Sequence, residues 1–172
     1  MPIDDNHQPL TGRDTPGSHA LRAYRKDIPG QTYFITTRAT EGAPRLTLDP
    51  KARIIIEALF WLRDQGRIRL HAFVVMPDHL HFAMTLEPGN TLARVMQTFK
   101  GWTSRQINAT RASASTVWQT QYRDDAVRNY DAMWSRVNYI QENPARAGLV
   151  AKAENYPFPS ASEAYHCRVD SW

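Results

Sequence analysis

Between Ile68 and Leu86 two apolar runs face each other across Met76-Pro77-Asp78, and this pairing constrains the fold of the 172-residue chain more than any other feature. Ile68 to Val75 alternates and then becomes continuously apolar, while His81 to Leu86 returns after a Pro-Asp turn signal. Two such runs joined by a turn predict an antiparallel hairpin. The returning strand opens with His79-Leu80-His81. On a strand, side chains at i and i+2 point to one face, so both imidazoles converge while Leu80 turns into the core. Two readings follow from the pair alone: half of a divalent-metal site, or two histidines decorating a half-exposed strand.

The remaining elements build around that hairpin. The β-branched and aromatic run Gln31 to Thr37, after Pro29-Gly30, predicts a first core strand. A helix is expected from Asp49-Pro50, with Asp49 as cap and Pro50 in the first helical position. Ile54, Ile55, Ala58, Leu59 and Leu62 form its apolar stripe and Gly66 ends it. Thr91 opens a second helix with Leu92, Val95, Met96, Phe99, Trp102 and Ile107 at helical spacing, its aromatics assigned to the core. A Ser/Ala/Thr-rich stretch, Ala109 to Thr116, precedes Val117-Trp118-Gln119 and a further strand ending near Val127. A third helix is expected from about Asn129 to Glu142, with Met133, Val137 and Ile140 on its apolar side and Asn143-Pro144 at its end. This order suits an α+β chain, a ferredoxin-like sandwich whose antiparallel sheet carries its helices mainly on one face. The expected organisation is a flexible arm over residues 1–22, one domain over 23–165 and a tail over 166–172.

Charge and cysteine content narrow the function classes. The formal net charge of +4 is modest, but Arg94, Lys100, Arg105, Arg111 and Arg123 fall in a stretch from Pro88 to Arg123 with no Asp or Glu. A polyanion could track such a stretch, and a merely solvated basic helix face would look the same. The single cysteine, Cys167, excludes an intramolecular disulfide and a Cys-based zinc site. The chain has no run of ~20 apolar residues and no basic-then-apolar leader, so a soluble, cytoplasmic protein without membrane association is expected.

The last helix holds groups that would complete the histidine pair. Tyr139 and Asn143 lie four residues apart and therefore share a helical face, with Glu142 nearby. Two imidazoles and one oxygen describe a site with open positions for phosphate oxygens, and Mg²⁺ or Mn²⁺ is the expected ion. A phenol is a weak nucleophile at neutral pH, and a cation polarising a scissile phosphate lowers the demand on it.

Four segments together carry a family resemblance: Val74 to His81, Met96 to Lys100, Val117-Trp118-Gln119, and Tyr139 to Val150. In this order they resemble the IS200-type single-tyrosine transposases, and more closely the REP-associated tyrosine transposases. The likeness runs from about Tyr24 to Tyr165. It implies that His79 and His81 are metal ligands of a histidine-hydrophobic-histidine motif and that Tyr139 is the nucleophile. In the insertion-sequence branch the helix supplies a glutamine as third ligand, where this chain has Asn143, as in the REP-associated branch. Asn143 has the shorter reach, and Glu142 stands as its competitor for the metal.

The resemblance implies metal-dependent nicking and rejoining of single-stranded DNA through a 5′-phosphotyrosine, on hairpin or palindromic repeat DNA in a bacterial nucleoid. Arg94, Lys100, Arg105 and Arg123 are the expected phosphate contacts. Family members act as monomers or homodimers, and neither is favoured by a visible repeat or patch. Two alternatives stand beside this reading: a catalytically silent hairpin-DNA-binding protein, and a metal-dependent nuclease that uses water.

Overall fold

The computed structural model describes residues 28, 30–111, 115–162 and 164–172; the expected arm over residues 1–22 lies outside them, as does part of the Ser/Ala/Thr-rich stretch. Strand β1 (Thr32–Arg38) is followed by helix α1 (Lys51–Asp64), the hairpin β2 (Ile68–Val75) and β3 (His79–Leu86), helix α2 (Leu92–Ala109), strand β4 (Arg123–Val127) and helix α3 (Tyr130–Arg146). The strands form one antiparallel sheet in the order β2-β3-β1-β4. This is the ferredoxin-like α+β arrangement, with a third helix appended.

Alternation along the strands splits the sheet into two unlike faces. Ile35, Phe73, Val75, Leu80, Phe82, Met84 and Leu86 are buried in the larger apolar cluster, against α1 and α2. Phe34, Val74 and Ala83 face the other way, into a smaller cluster with Met133 and Ile140 of α3. Two helices thus share one face, and the third crosses the face to which the histidines point.

The helix ends explain where side chains are delivered. Thr91 caps α2, its hydroxyl accepting from the Arg94 N–H at 3.2 Å, and Asn129 caps α3. Asp49 does not cap α1: Pro50 occupies that position with no side-chain cap, and the Asp49 carboxylate pairs with Arg53 at 3.0 Å. Helix α3 also runs past the expected stop at Asn143-Pro144. The proline removes one backbone donor, yet the helix continues to Arg146, because Gly148 at φ 69 closes it. There the Gly148 N–H meets the Ala145 carbonyl and the Leu149 N–H the Pro144 carbonyl, both at 2.9 Å, a Schellman closure open to glycine's left-handed backbone. Asn143 consequently stays helical and keeps its place one turn beyond Tyr139.

One further expectation is corrected. Trp102, assigned to the core, is 39 % exposed. The segment after α3 is irregular but not loose: it lies along the outer edge of β2, through Ser160 N–H to Phe73 C=O at 2.8 Å and Asp170 N–H to Leu70 C=O at 2.7 Å. Asp170 is locked by Arg63 at 2.8 Å, so the sheet edge that would otherwise present unpaired backbone groups is covered.

Candidate active site

His79 and His81 enter the site because β3 begins at the Pro77-Asp78 turn and pairs with β1 so that Arg38 lies opposite His79 and Thr36 opposite His81. Their ring centroids are 4.6 Å apart. Tyr139 comes down onto this pair from α3, its ring centroid 5.4 Å from that of His81. Phe34 packs beneath, stacked on His81 at 5.3 Å and edge-on to Tyr139 at 5.9 Å. A strand pair and a helix that are remote in sequence thus hold three reactive rings in one cluster.

Each imidazole is oriented through its Nδ1. That of His79 lies 2.6 Å from an Asp78 carboxylate oxygen, and that of His81 lies 2.8 Å from the Thr36 hydroxyl. Burial works to raise the Asp78 pKa, but the His79 hydrogen bond and the His79 and Arg38 charges outweigh it, and the net shift is downward. Asp78 is therefore an ionised acceptor, and His79 Nδ1 carries the hydrogen. For His81 the matching tautomer is the one in which Thr36 accepts. Both rings then turn Nε2 away from these anchors, the arrangement in which outer hydrogen bonds fix metal-ligating histidines.

Burial, reinforced by the His79, Arg38 and Arg136 charges, lowers the His81 pKa to about 3. The ring is 6 % exposed and neutral at physiological pH, the state required of a ligand. No group of three His, Cys, Asp or Glu side chains placed to hold a metal ion occurs among the described residues. Asn143 is 8 % exposed, one turn beyond Tyr139 on α3, and carries a neutral amide oxygen. Glu142 is exposed and lines a different groove, beside Lys152 and Tyr156. Two oriented imidazoles with a buried amide on the adjacent helix fit a divalent cation.

The expected phosphate contacts separate in the fold. Arg123 lines the groove that opens onto His81 and Tyr139. Arg94 and Arg105 project from α2 on the other side of the sheet. The Lys100 ammonium is engaged by the carbonyls of Gln119, Thr120 and Gln121 at 2.8, 3.3 and 3.1 Å, and it lies 5.1 Å from the Tyr122 ring centroid. These contacts tie Lys100 to the Gln119–Tyr122 segment along the groove.

Three cations near the tyrosine were absent from the sequence reading. Arg136 and Arg38 line the groove with Tyr139. The Arg146 guanidinium stands 5.6 Å from the Tyr139 ring centroid, and Arg136 stands 4.8 Å from that of Phe34 and 3.3 Å from Asp125. Arg136, Tyr139, Asn143 and Arg146 follow one another at three- and four-residue steps, the spacing of a single helical face. That periodicity was the available signal; it was obscured because the helix was expected to stop before Arg146.

Residues 48–143 match a family profile described as "Transposase IS200 like". The chain is 26 % identical over 132 residues to the REP-associated tyrosine transposase of Escherichia coli K12, covering 76 % of each protein. It is 25 % identical over 99 residues to a putative REP-associated tyrosine transposase of Haemophilus influenzae, covering 52 % of this chain and 56 % of that one. Among solved structures, a REP-associated tyrosine transposase bound to a REP hairpin superposes with a TM-score of 0.67 at 22 % identity, over 86 % of this chain and 89 % of the other. The same fold therefore carries a DNA hairpin in another protein.

Proposed function

This chain belongs to the IS200-like transposase family, and we propose that it nicks and rejoins single-stranded hairpin DNA, with Tyr139 as the attacking group. The observation that carries the proposal is the contact of Tyr139 with the oriented histidine pair, at 5.4 Å between the Tyr139 and His81 ring centroids. His79, His81 and the Asn143 side-chain oxygen would hold Mg²⁺ or Mn²⁺. Such an ion supplies Lewis-acid polarisation of the scissile phosphate and offsets its negative charge.

The protein's own groups account for the rest. Asp78 and Thr36 keep the two imidazoles aligned, while the cations of Arg38, Arg123 and Arg136 around the groove attract and seat the phosphates. The Tyr139 hydroxyl oxygen forms a bond to the scissile phosphorus as the bond from phosphorus to the 3′ oxygen breaks. The phenolic proton ends on that 3′ oxygen through solvent. A 5′-phosphotyrosine and a free 3′-hydroxyl result, and attack by a 3′-hydroxyl reverses the exchange without ATP. Unpaired or hairpin DNA suits the groove, because a phosphate must be bent onto the ring cluster and unpaired nucleotides are the cheaper ones to splay. The hairpin carried by the related transposase supports the same substrate class.

Incubation with end-labelled hairpin DNA and Mg²⁺ or Mn²⁺ should yield a protein–DNA adduct that survives denaturant. Tyr139→Phe should abolish the adduct and cleavage while DNA binding is retained. Cleavage that survives in Tyr139→Phe identifies a nuclease using water. Binding with no adduct from folded wild-type protein under either ion identifies a silent hairpin binder. Each of these two outcomes overturns the proposal.

A further inference from the structure

The outer side of α1 and α2, across the sheet from Tyr139, carries a cleft that the proposed reaction does not use. Trp61 from α1 and Arg94, Thr98, Gly101, Trp102 and Arg105 from α2 line a cavity of about 660 Å³. Trp61 is 45 % exposed and Trp102 39 %, although large aromatic rings gain most from full burial. The Arg67 guanidinium holds Trp61 in place, 4.8 Å from its ring centroid, and donates to the Thr98 hydroxyl at 3.3 Å. One end of the cleft is thereby pinned.

The middle of the cleft is kept open by a residue that the helix itself disfavours. Gly101 lies inside α2, where glycine costs about 0.5–1 kcal/mol relative to alanine. A Cβ at that position would meet nothing closer than an Arg105 Nη1 at 3.6 Å, an ordinary contact. Core packing does not require the glycine; its effect is to leave room between the two indoles and the arginines.

Charge decides which occupant the room suits. Arg94 and Arg105 are exposed and form no ion pair with another described residue. The acid on the cleft wall, Glu57, is already paired with Arg168 at 3.3 Å. Exposed indoles flanked by unpaired guanidinium groups match unpaired nucleotides, whose bases stack on the rings while their phosphates meet the cations. Duplex DNA hides its base faces, and an acidic peptide would use the arginines but leave the rings idle. The geometry points to a second single-stranded DNA site in this cleft, one that grips an unpaired segment flanking the hairpin on the side of the sheet away from the tyrosine. The inference rests on the DNA-acting reading above but not on the Tyr139 chemistry.

The test compares a labelled hairpin carrying an unpaired flanking tail with the same hairpin lacking it, by fluorescence anisotropy. Trp61→Ala and Trp102→Ala should each weaken binding of the tailed DNA by roughly tenfold, the loss of one stacked base. Both should leave the tailless hairpin unaffected, and Trp61→Phe and Trp102→Phe should restore most of the lost affinity. Arg94→Gln with Arg105→Gln should lower the salt dependence of tailed-DNA binding by about 1.4 units of log–log slope. Tyr139→Phe should bind tailed DNA as wild type does, so failure of the chemistry and failure of the cleft remain separate results. Wild-type binding of tailed DNA by the double tryptophan variant overturns the site. So does an equal loss on both DNAs. A concentration-dependent dimer in sedimentation that Trp61→Ala and Trp102→Ala dissolve assigns the cleft to a second copy instead.

Discussion

The two faces of the sheet divide the labour. Against α1 and α2 the sheet buries Phe82, Phe73 and Ile35 in a large apolar cluster with Phe60 and Phe99. Against α3 the apolar cluster is smaller, and the space beside it is taken by His81, Thr36, Tyr139 and Arg136. One strand serves both, because β3 sends Leu80, Phe82, Met84 and Leu86 one way and His81 and Ala83 the other. The difference teaches why a polar, charged groove is tolerated next to a sheet: the stabilising area lies on the opposite side. A buried imidazole would be costly in a domain that relied on one core face for its stability.

Neighbouring substitutions break this comparison most sharply. His81→Gln should reduce adduct formation at least a hundredfold while the urea midpoint moves little, since the residue contributes ligation rather than core volume. Phe82→Ala, one residue away, should cost about 3–5 kcal/mol in urea unfolding. The fraction of Phe82→Ala that stays folded should still form the adduct. Comparable stability losses from the two would refute the division of labour.

Acid separates the faces next. An unfolded histidine protonates near 6.5, whereas burial lowers the His81 pKa to about 3. Between those values the unfolded chain binds a proton that the native state refuses, so the His81 contribution is whole above pH 6.5 and declines as pH falls towards 3. At pH 5 the loss should be about 2 kcal/mol relative to pH 7.5 in metal-free protein. His71, buried beneath Asp170 and also lowered chiefly by desolvation, adds in the same direction. Urea midpoints measured at the two pH values should differ less in His81→Gln than in wild type. An unchanged pH slope in that variant would show that His81 does not carry this term.

The smallest predicted differences lie within the scaffold side. Thr91→Ala removes the hydroxyl that accepts from Arg94 N–H and should cost about 1 kcal/mol. Asp49→Ala removes only an exposed pair with Arg53 and should stay within about 0.5 kcal/mol of wild type. Paired thermal melts of the two variants check the reassignment of the α1 cap.

The elements were legible in the sequence wherever a local rule acts. The hairpin follows from Pro77-Asp78 between apolar runs, and the Thr91 cap from a hydroxyl just before a helical stripe. The misreadings occur where a local rule is overridden by context. Asn143-Pro144 reads as a helix stop, yet the closure at Gly148 lets α3 run on and keeps Asn143 and Arg146 on the tyrosine's face. Trp102 has helical spacing but stands at the open cleft between α1 and α2. The basic stretch reads as one surface, but the fold sends Arg123 to the tyrosine groove, Arg94 and Arg105 across the sheet, and Lys100 onto backbone carbonyls.

By itself the sequence determined the strand and helix order, the convergence of His79 with His81, and the alignment of Tyr139 with Asn143, because periods of two and 3.6 residues act within one element. Only the tertiary structure decided that α3 crosses the histidine face of the sheet, which brings Tyr139 to His81 and surrounds it with Arg38, Arg123 and Arg136. Those contacts join residues far apart in the chain. Packing of the apolar faces sets them, and no local spacing encodes which face a helix will cover.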